Sequence, residues 1–212
     1  MAHDYENLPL IEQFYFLLET ISSKPFLEMD GVGNEVPFFI CGFAVEETVQ
    51  MYEAVNSLTA QLAQRGIRAK EINLYDVCLE IIQDEEDIWQ ALPVEEASLT
   101  KDQLMEDFLG LFDTETQLPA RIAEATREED FDVLFITGVG EVYPYVRTHA
   151  LLENLPAHMD RFPLVMFFPG KYIQTPHSGA MLRLFDRLND GKYYRAFNIF
   201  HYAPRPGGMA WL

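Results

Sequence analysis

The chain has 212 residues, which is enough for one domain with a sizeable core and short for two. Apolar residues make up 49% of it and aromatic residues 13%, which excludes an intrinsically disordered protein. The formal net charge of −19 at pH 7 argues against a protein that binds DNA unaided, because phosphate contacts need a basic footprint.

The negative charge is concentrated in one stretch. Residues 80–130 carry sixteen acidic and three basic side chains, whereas residues 145–212 carry eight basic and four acidic ones. The acidic block repels DNA within a Debye length of roughly 8 Å at physiological salt. The weakly basic segment 145–212 is compatible with a nucleic acid or an acidic protein as a partner.

The sequence also bears on location. No run of eighteen apolar residues predicts a membrane helix, and the N-terminus MAHDYENLPL lacks the basic and apolar regions of a signal peptide. Cys41 lies in an apolar strand pattern and Cys78 in a helical pattern, so we expect two buried thiols rather than a disulfide or a catalytic cysteine. Together these features predict a cytoplasmic protein with no membrane partner.

In chain order, amphipathic helical segments alternate with short apolar runs. The predicted helices cover residues 8–22, 45–66, 77–89 and 147–159, and the predicted strands cover residues 36–43, 67–76, 131–138, 162–170 and 193–200. A loop with turn residues covers 22–35. The acidic block 80–130 is predicted to be a mostly helical insertion, in which Thr100 and Gln103 have the spacing of a capping box. Residues 203–212 are expected to form a mobile tail.

This alternation predicts a single α/β domain over residues 1–212. Strands that are apolar throughout are typical of a mainly parallel sheet that is buried on both faces. We therefore expect an open, Rossmann-like sheet with helices on both faces, in three layers. Ligands of such folds bind at the carboxyl ends of the strands. Those ends are predicted near Gly42, Asn73–Asp76, Gly138–Tyr143 and Pro169–Tyr172.

The segment FITGVGEVYPYV follows one buried strand and resembles the start of a nucleotide-binding loop. A dinucleotide loop needs G-x-G-x-x-G, but Tyr143 stands where the third glycine belongs, and Pro144 follows it. Glu141 would place a negative charge beside the phosphates, and no P-loop occurs in the chain. We therefore expect the glycines to form a sharp turn with φ > 0 at one of them, and we predict no cofactor. Nucleotide binding or catalysis around Gly138–Arg147 remains the alternative.

No catalytic or metal-binding set is complete. His149 and Glu153 would share a helix face, but a zinc site needs three or four ligands, and no nucleophile elbow is present. The strand ends do place several candidate functional residues close together: Asp76, Gly138, Gly140, Glu141, Tyr143, Arg147 and His149. We favour an acid–arginine network that braces the strand ends over acid–base catalysis, and we expect a protein that is not an enzyme.

A second candidate region combines basic and aromatic residues. Its members are Arg183, Arg187, Lys192, Tyr193, Tyr194 and Arg195. Such a mixture can stack on RNA or DNA, and it is also enriched in protein interfaces. The negative net charge favours a protein partner over a nucleic acid. In the same segment, Leu182, Phe185 and Leu188 have helical spacing and are predicted to face the core.

Several stretches together resemble the BrxB family, a small component of bacterial BREX phage-defence systems. They are FLEMDGVGNEVPFFI (26–40), EINLYD (71–76), ITGVGEVYPYVRTHALLENL (136–155), PLVMFFPGKY (163–172) and LRLFDRLNDGKYYRAFNI (182–199). The resemblance spans almost the whole chain and is weakest in the acidic block.

The resemblance implies a role in BREX defence, in which phage DNA replication is blocked and host DNA is marked by methylation. Members of the family act beside the alkaline-phosphatase-like protein PglZ, the methyltransferase PglX and the ATPase BrxC. It implies no catalytic activity and no active-site residue. The function that the resemblance implies is that of a scaffold or adaptor that holds PglZ to the rest of the complex, with BrxC or PglX as other partners.

Overall fold

The computed structural model describes residues 5–30, 37–96, 98–127, 130–159, 161–175, 179–190 and 196–202. Its α-helices are α1 (Leu10–Ile21), α2 (Lys24–Leu27), α3 (Thr48–Gln64), α4 (Leu74–Asp84), α5 (Glu86–Glu95), α6 (Lys101–Leu111), α7 (Gln117–Arg127) and α8 (Thr148–Asn154). Its strands are β1 (Phe38–Phe43), β2 (Ala69–Asn73), β3 (Val133–Thr137), β4 (Leu164–Thr175), β5 (Gly179–Leu184), β6 (Leu188–Asp190) and β7 (Phe197–Asn198). Among the described helices, none is both long enough and apolar enough to cross a membrane.

The sheet is open and mainly parallel, as predicted. Its strand order is β2-β3-β4-β1-β7, and every pair along that path is parallel. The register of the central pair runs from Phe38 opposite Leu164 to Phe43 opposite Pro169. Beyond that point β4 leaves the parallel sheet and forms an antiparallel hairpin with β5, which in turn pairs with β6.

Two apolar layers cover the two faces of this sheet. In β1, Phe38 and Ile40 pack against α4, α7 and α8, whereas Phe39, Cys41 and Phe43 pack against α1 and α3. The strand alternates between faces because successive side chains point to opposite sides. The prediction of a three-layer α/β fold is therefore confirmed.

The two cysteines are buried and free, also as predicted, and burial raises the pKa of the Cys78 thiol to about 12.

Several element boundaries differ from the predictions. The helical spacing of Leu182, Phe185 and Leu188 is misleading, because these residues belong to the β5–β6 hairpin. Leu182 is fully buried as predicted and Phe185 is partly buried, but Leu188 is 38% exposed, so the prediction that it faces the core is wrong. Strand pairing overrides the 3.6-residue period here, since β5 buries alternate residues instead.

The other boundaries shift by a few residues. The predicted strand 67–76 ends at Asn73, whose side chain accepts a hydrogen bond from the Tyr75 backbone N–H at 2.9 Å and so begins α4. The helical block 80–130 contains α5, α6 and α7, and the predicted capping box of Thr100 and Gln103 is confirmed. The last predicted strand, 193–200, shortens to β7, while residues 193–195 and the tail 203–212 lie outside the described residues.

Two glycines let β1, β4 and β5 approach one another closely. A Cβ on Gly42 would lie 2.8 Å from the Gly170 carbonyl oxygen. Gly170 has φ +153°, and a Cβ there would lie 2.1 Å from the carbonyl oxygen of Arg183. Both obstacles are backbone atoms that cannot rotate away. The exit of β4 into its hairpin therefore depends on glycine at both positions.

We expect Gly42→Ala to destabilise the protein by about 1–3 kcal/mol, because the new methyl group overpacks the centre of the sheet. The matched control is Gly110→Ala in α6, where a Cβ meets nothing within 4 Å. That change should raise the free energy of unfolding by up to about 1 kcal/mol through helix propensity. Urea unfolding of both variants is the measurement. Equal stability of the two variants would contradict the close approach.

Candidate functional site

The chain leaves β1 and β4 toward opposite faces of the sheet, which opens a crevice between their carboxyl ends. After β1 the chain enters α3, which packs in the layer with α1. Past Pro169, the second half of β4 forms the hairpin with β5, and Tyr172, Leu182 and Leu184 of this hairpin pack in the layer with α4 and α8. In open α/β sheets, such divergence between neighbouring strands marks the usual place for a ligand.

The crevice has a volume of about 450 Å³, within the usual range of small-molecule sites. The end of β1 and the hairpin form two walls, and the N-terminal segment that includes Gln13 forms a third. Its charged side chains are four carboxylates and two cations: Glu6, Glu46, Glu47, Asp186, Lys171 and Arg187. The site is thus polar, and its walls carry more negative than positive charge.

The hairpin wall contains an unusual turn. Phe185 and Asp186 both have φ +53°, although neither is a glycine. Non-glycine residues in this region are strained, and such strain concentrates at functional sites. Lys171 lies 3.0 Å from an Asp186 carboxylate oxygen and Arg183 lies 3.7 Å from the other, which holds the turn in place. The hydrogen bond from Lys171 is the main reason that the pKa of Asp186 is lowered.

The loop that contains Gly138, Val139 and Gly140, which we call the Gly-Val-Gly loop, lies next to the crevice and is packed tightly. Gly138 has φ +75°, so the prediction of a sharp turn with positive φ at one glycine is confirmed. A Cβ on Gly138 would lie 2.1 Å from the Asn73 side-chain oxygen. A Cβ on Gly140 would lie 3.0 Å from Pro169 and 3.2 Å from the Phe185 ring. The glycines therefore serve packing against α4 and against the hairpin.

Glu141 is held by a residue that the sequence analysis did not single out. The Tyr52 hydroxyl, on α3, donates to Glu141 at 2.6 Å from Oε1 and 2.8 Å from Oε2. Partial burial, followed by this hydrogen bond, raises the pKa of Tyr52 well above its usual value. Because Tyr52 lies on α3, which follows β1, and Glu141 lies in the loop after β3, the bond ties helix α3 to that loop at the carboxyl edge of the sheet.

The remaining strand-end residues are only partly brought together. The Arg147 guanidinium lies 5.5 Å from the centre of the Tyr143 ring, which in turn contacts Phe185 edge-on at 6.1 Å. His149 is half-buried in the first turn of α8. Asp76 is exposed in the first turn of α4, where a carboxylate favours the helix dipole. Among the described residues, no group of three or more His, Cys, Asp or Glu side chains could hold a metal ion.

The predicted partner interface falls partly on the crevice. Arg187 lines it, and Arg183 braces its turn, whereas Lys192, Tyr193, Tyr194 and Arg195 lie outside the described residues. The predicted strand ends at Gly42 and Pro169–Tyr172, the second of which includes Lys171, both line the crevice. Gln13 was not predicted to line it, because it lies in a helix far from any motif.

Breaking the bond between Tyr52 and Glu141 should destabilise the protein. Hydrogen bonds to charged groups contribute about 1.5–3 kcal/mol, and we expect about 1 kcal/mol for Tyr52→Phe because this pair is partly exposed to solvent. Tyr15→Phe is the control, since the Tyr15 side chain is 58% exposed on α1. Urea unfolding measures both. A loss of the same size in Tyr15→Phe would contradict the assigned role of the bond.

The same pair predicts a pH dependence. Folding favours the neutral phenol of Tyr52, because its pKa is raised in the folded state. This contribution is fully present below the unfolded-state pKa of about 10 and is lost as the pH rises through the higher folded-state pKa. The free energies of unfolding of the wild type and of Tyr52→Phe should therefore converge as the pH rises above the folded-state pKa of Tyr52. A constant difference between them from neutral to strongly alkaline pH would contradict the raised pKa.

Comparison with known proteins provides the family. The family described as BREX protein BrxB matches residues 70–199. A BREX protein BrxB of Bacillus cereus (strain H3081.97) is 31% identical over 184 residues, which cover 86% of this chain and 93% of the relative. One of Escherichia coli O9:H4 (strain HS) is 26% identical over 179 residues, covering 84% and 86%. No solved structure matches significantly. The chain belongs to the BrxB family of BREX proteins.

Proposed function

We propose that this protein is a non-enzymatic adaptor subunit of a BREX phage-defence system, and that PglZ is its first partner. Family membership supports a role in phage defence within a multi-protein system. The adaptor role and the choice of PglZ as partner are proposals beyond what family membership supports. They rest on a surface of this chain that suits a protein partner and on the absence of a complete catalytic pattern in its sequence.

The observation that carries the proposal is an exposed apolar surface on two acidic helices. We call α5 and α6 together the acidic lobe. Four large apolar side chains of the lobe are exposed: Ile88 (36%), Trp89 (47%), Val94 (75%) and Leu109 (40%). Tryptophan is among the residues most enriched at binding hot spots. The exposed Trp89, with Ile88 and Val94 exposed on the same helix, is therefore the feature on which the docking proposal rests.

The packing of α6 supports the same interpretation. None of its residues is fully buried. Phe108 and Leu111 pack against the core, and Phe108 stacks on Phe112 and meets Tyr145 edge-on. Helices in proteins gain most of their stability from tertiary packing of an apolar face. A helix that buries so little of its surface leaves the rest available for a partner.

The charge of the lobe indicates the kind of partner. The two helices of the lobe carry six acidic side chains and one basic side chain, and α6 presents Asp102, Glu106 and Asp107 to solvent. Complementary charge speeds association and selects the correct partner, while buried apolar groups supply most of the affinity. The partner surface should therefore be basic with an apolar centre.

The alternative functions receive less support from the geometry. A phosphate at the Gly-Val-Gly loop would meet the carboxylate of Glu141, and the space beside Gly138 is filled by Asn73. RNA or DNA binding through Arg183–Phe197 would use Arg183, which is already engaged with Asp186. The adaptor hypothesis does not require either region to bind a nucleotide or a nucleic acid.

The first test is co-elution with PglZ from the same defence system on a sizing column at about 150 mM salt, close to physiological ionic strength. We expect a shared peak with the wild-type protein. Trp89→Ala should weaken the complex roughly thirtyfold or more, because hot-spot truncations cost about 2 kcal/mol or more.

Tyr15→Ala provides the matched control. Tyr15 is a 58% exposed aromatic residue on α1, on the opposite face of the sheet, so its truncation should leave the complex intact. Equal weakening by both variants would contradict the acidic lobe as the docking surface. Separate elution from PglZ but joint elution with BrxC or PglX would replace the partner and keep the adaptor role. Separate elution from all three would overturn the proposal.

A further inference from the structure

We propose that residues 203–212, which lie outside the described residues, pack against the exposed face of α1. This face is a different surface from the acidic lobe, and the proposal does not depend on the adaptor function. It rests on the apolar side chains that α1 leaves uncovered, on the place where the described chain ends, and on the composition of the segment that follows. A packed segment replaces the mobile tail expected from the sequence.

Helix α1 is apolar on nearly every side. Eight of its twelve residues are apolar, and those on its inner face, such as Leu17 and Leu18, are buried against the sheet. Ile11 and Tyr15 lie one turn apart on the outer surface and are 59% and 58% exposed. A helix with apolar residues all round is typical of a position that is covered on every side. The described residues leave this part of α1 uncovered.

The described chain ends beside the C-terminal end of α1. The ring of Tyr202 meets Phe26 of α2 edge-on, with ring centroids 5.4 Å apart, and its hydroxyl donates to the Asp30 carbonyl oxygen at 3.4 Å. Phe200, two residues earlier, contacts Phe16 of α1 with ring centroids 5.8 Å apart. Because α2 follows α1 after a short turn, the chain continues from a point close to the last turn of α1.

The segment that follows is long enough to cover the whole helix. Ten residues span up to about 33 Å when extended, at about 3.3 Å per residue. The twelve residues of α1 are about 18 Å long, at about 1.5 Å per residue. Starting at the C-terminal end of α1, the segment can therefore pass both Tyr15 and Ile11.

The composition of the segment suits an apolar surface. Its sequence is APRPGGMAWL, in which Met209, Trp211 and Leu212 are large apolar residues. Burial of apolar surface is the main source of stabilisation in such contacts, and tryptophan buries more of it than most residues. We therefore assign Trp211 to the surface around Ile11 and Tyr15.

The charges are complementary as well. Arg205 is the only charged side chain of the segment, whereas both charged side chains of α1, Glu12 and Glu19, are acidic and exposed. Glu19 already binds Arg65 at 2.7 Å, so Glu12 is the carboxylate that an added arginine would neutralise. An exposed ion pair contributes little affinity. Arg205 therefore favours this face, and the apolar side chains hold the segment on it.

The acidic lobe also combines exposed apolar side chains with acidic ones, but it lies on the wrong side of the sheet. It follows α4, which packs on the opposite face of the sheet from α1. Tyr202 packs in the layer with α1, so the chain leaves the described structure on that side. The face of α1 is therefore the apolar surface available to the segment.

Tryptophan fluorescence tests the proposal, because the chain has only two tryptophans. In Trp89→Phe, the emission comes from Trp211 alone. We expect acrylamide to quench Trp211 in this variant at least about threefold more weakly than in a synthetic peptide of residues 203–212, because packing against α1 shields the indole ring. The quenching should not depend on protein concentration, since the contact lies within one chain.

Substitutions on α1 locate the contact. Adding Ile11→Ser/Tyr15→Ser to this variant should raise the quenching of Trp211 to that of the peptide. The matched control adds Val49→Ser/Tyr75→Ser, which removes a similar pair of side chains, 68% and 46% exposed, from α3 and α4. It should leave the indole shielded. All four changes affect exposed side chains, and the melting temperatures of the variants check the fold.

Quenching of Trp211 in Trp89→Phe that is as strong as in the peptide would overturn the proposal, because the segment would then be exposed to solvent. Protection that persists without Ile11 and Tyr15, or that both double variants lose equally, would also overturn it, since the exposed face of α1 would not be what holds the segment. Protection that grows with protein concentration would assign the contact to a second copy of the chain and exclude the contact within one chain.

Discussion

The parallel pairing of β1 with β4 is the constraint on which the rest of the structure depends. These two strands lie at the centre of the sheet, and their side chains form part of both apolar layers. Gly42 lets β1 approach β4 closely, and Gly170 lets β5 approach β4. That approach lets β4 continue past the sheet into its hairpin, and the divergence from α3 then opens the crevice. Fold and candidate site therefore share one cause.

Phe185 connects the crevice with the loop that first suggested nucleotide binding. Its backbone is strained in the hairpin turn, while its ring contacts Gly140 and Tyr143. The Gly-Val-Gly segment thus packs against the crevice wall. On the other side, the bond from Tyr52 to Glu141 ties α3 to the same loop. The Gly-Val-Gly loop is therefore in contact with both the hairpin and α3, so a movement of either would displace it.

The molecule separates two kinds of surface. The acidic lobe presents exposed apolar side chains among carboxylates. The crevice is concave and polar, and it lies where β1 and β4 part. Such an arrangement is consistent with a component of a multi-protein defence system.

The sequence by itself determined the α/β class, the buried cysteines, the Thr100–Gln103 capping box and the positive φ in the Gly-Val-Gly turn, because apolar period, capping and glycine geometry are local. The long sequence segments that it shares with BrxB proteins also identified the family. Only the tertiary structure decided that Leu182 and Leu188 lie in a hairpin, that Tyr52 meets Glu141, and that Gln13 lines the crevice. These are contacts between distant segments, and local periodicity carries no information about which strands become neighbours.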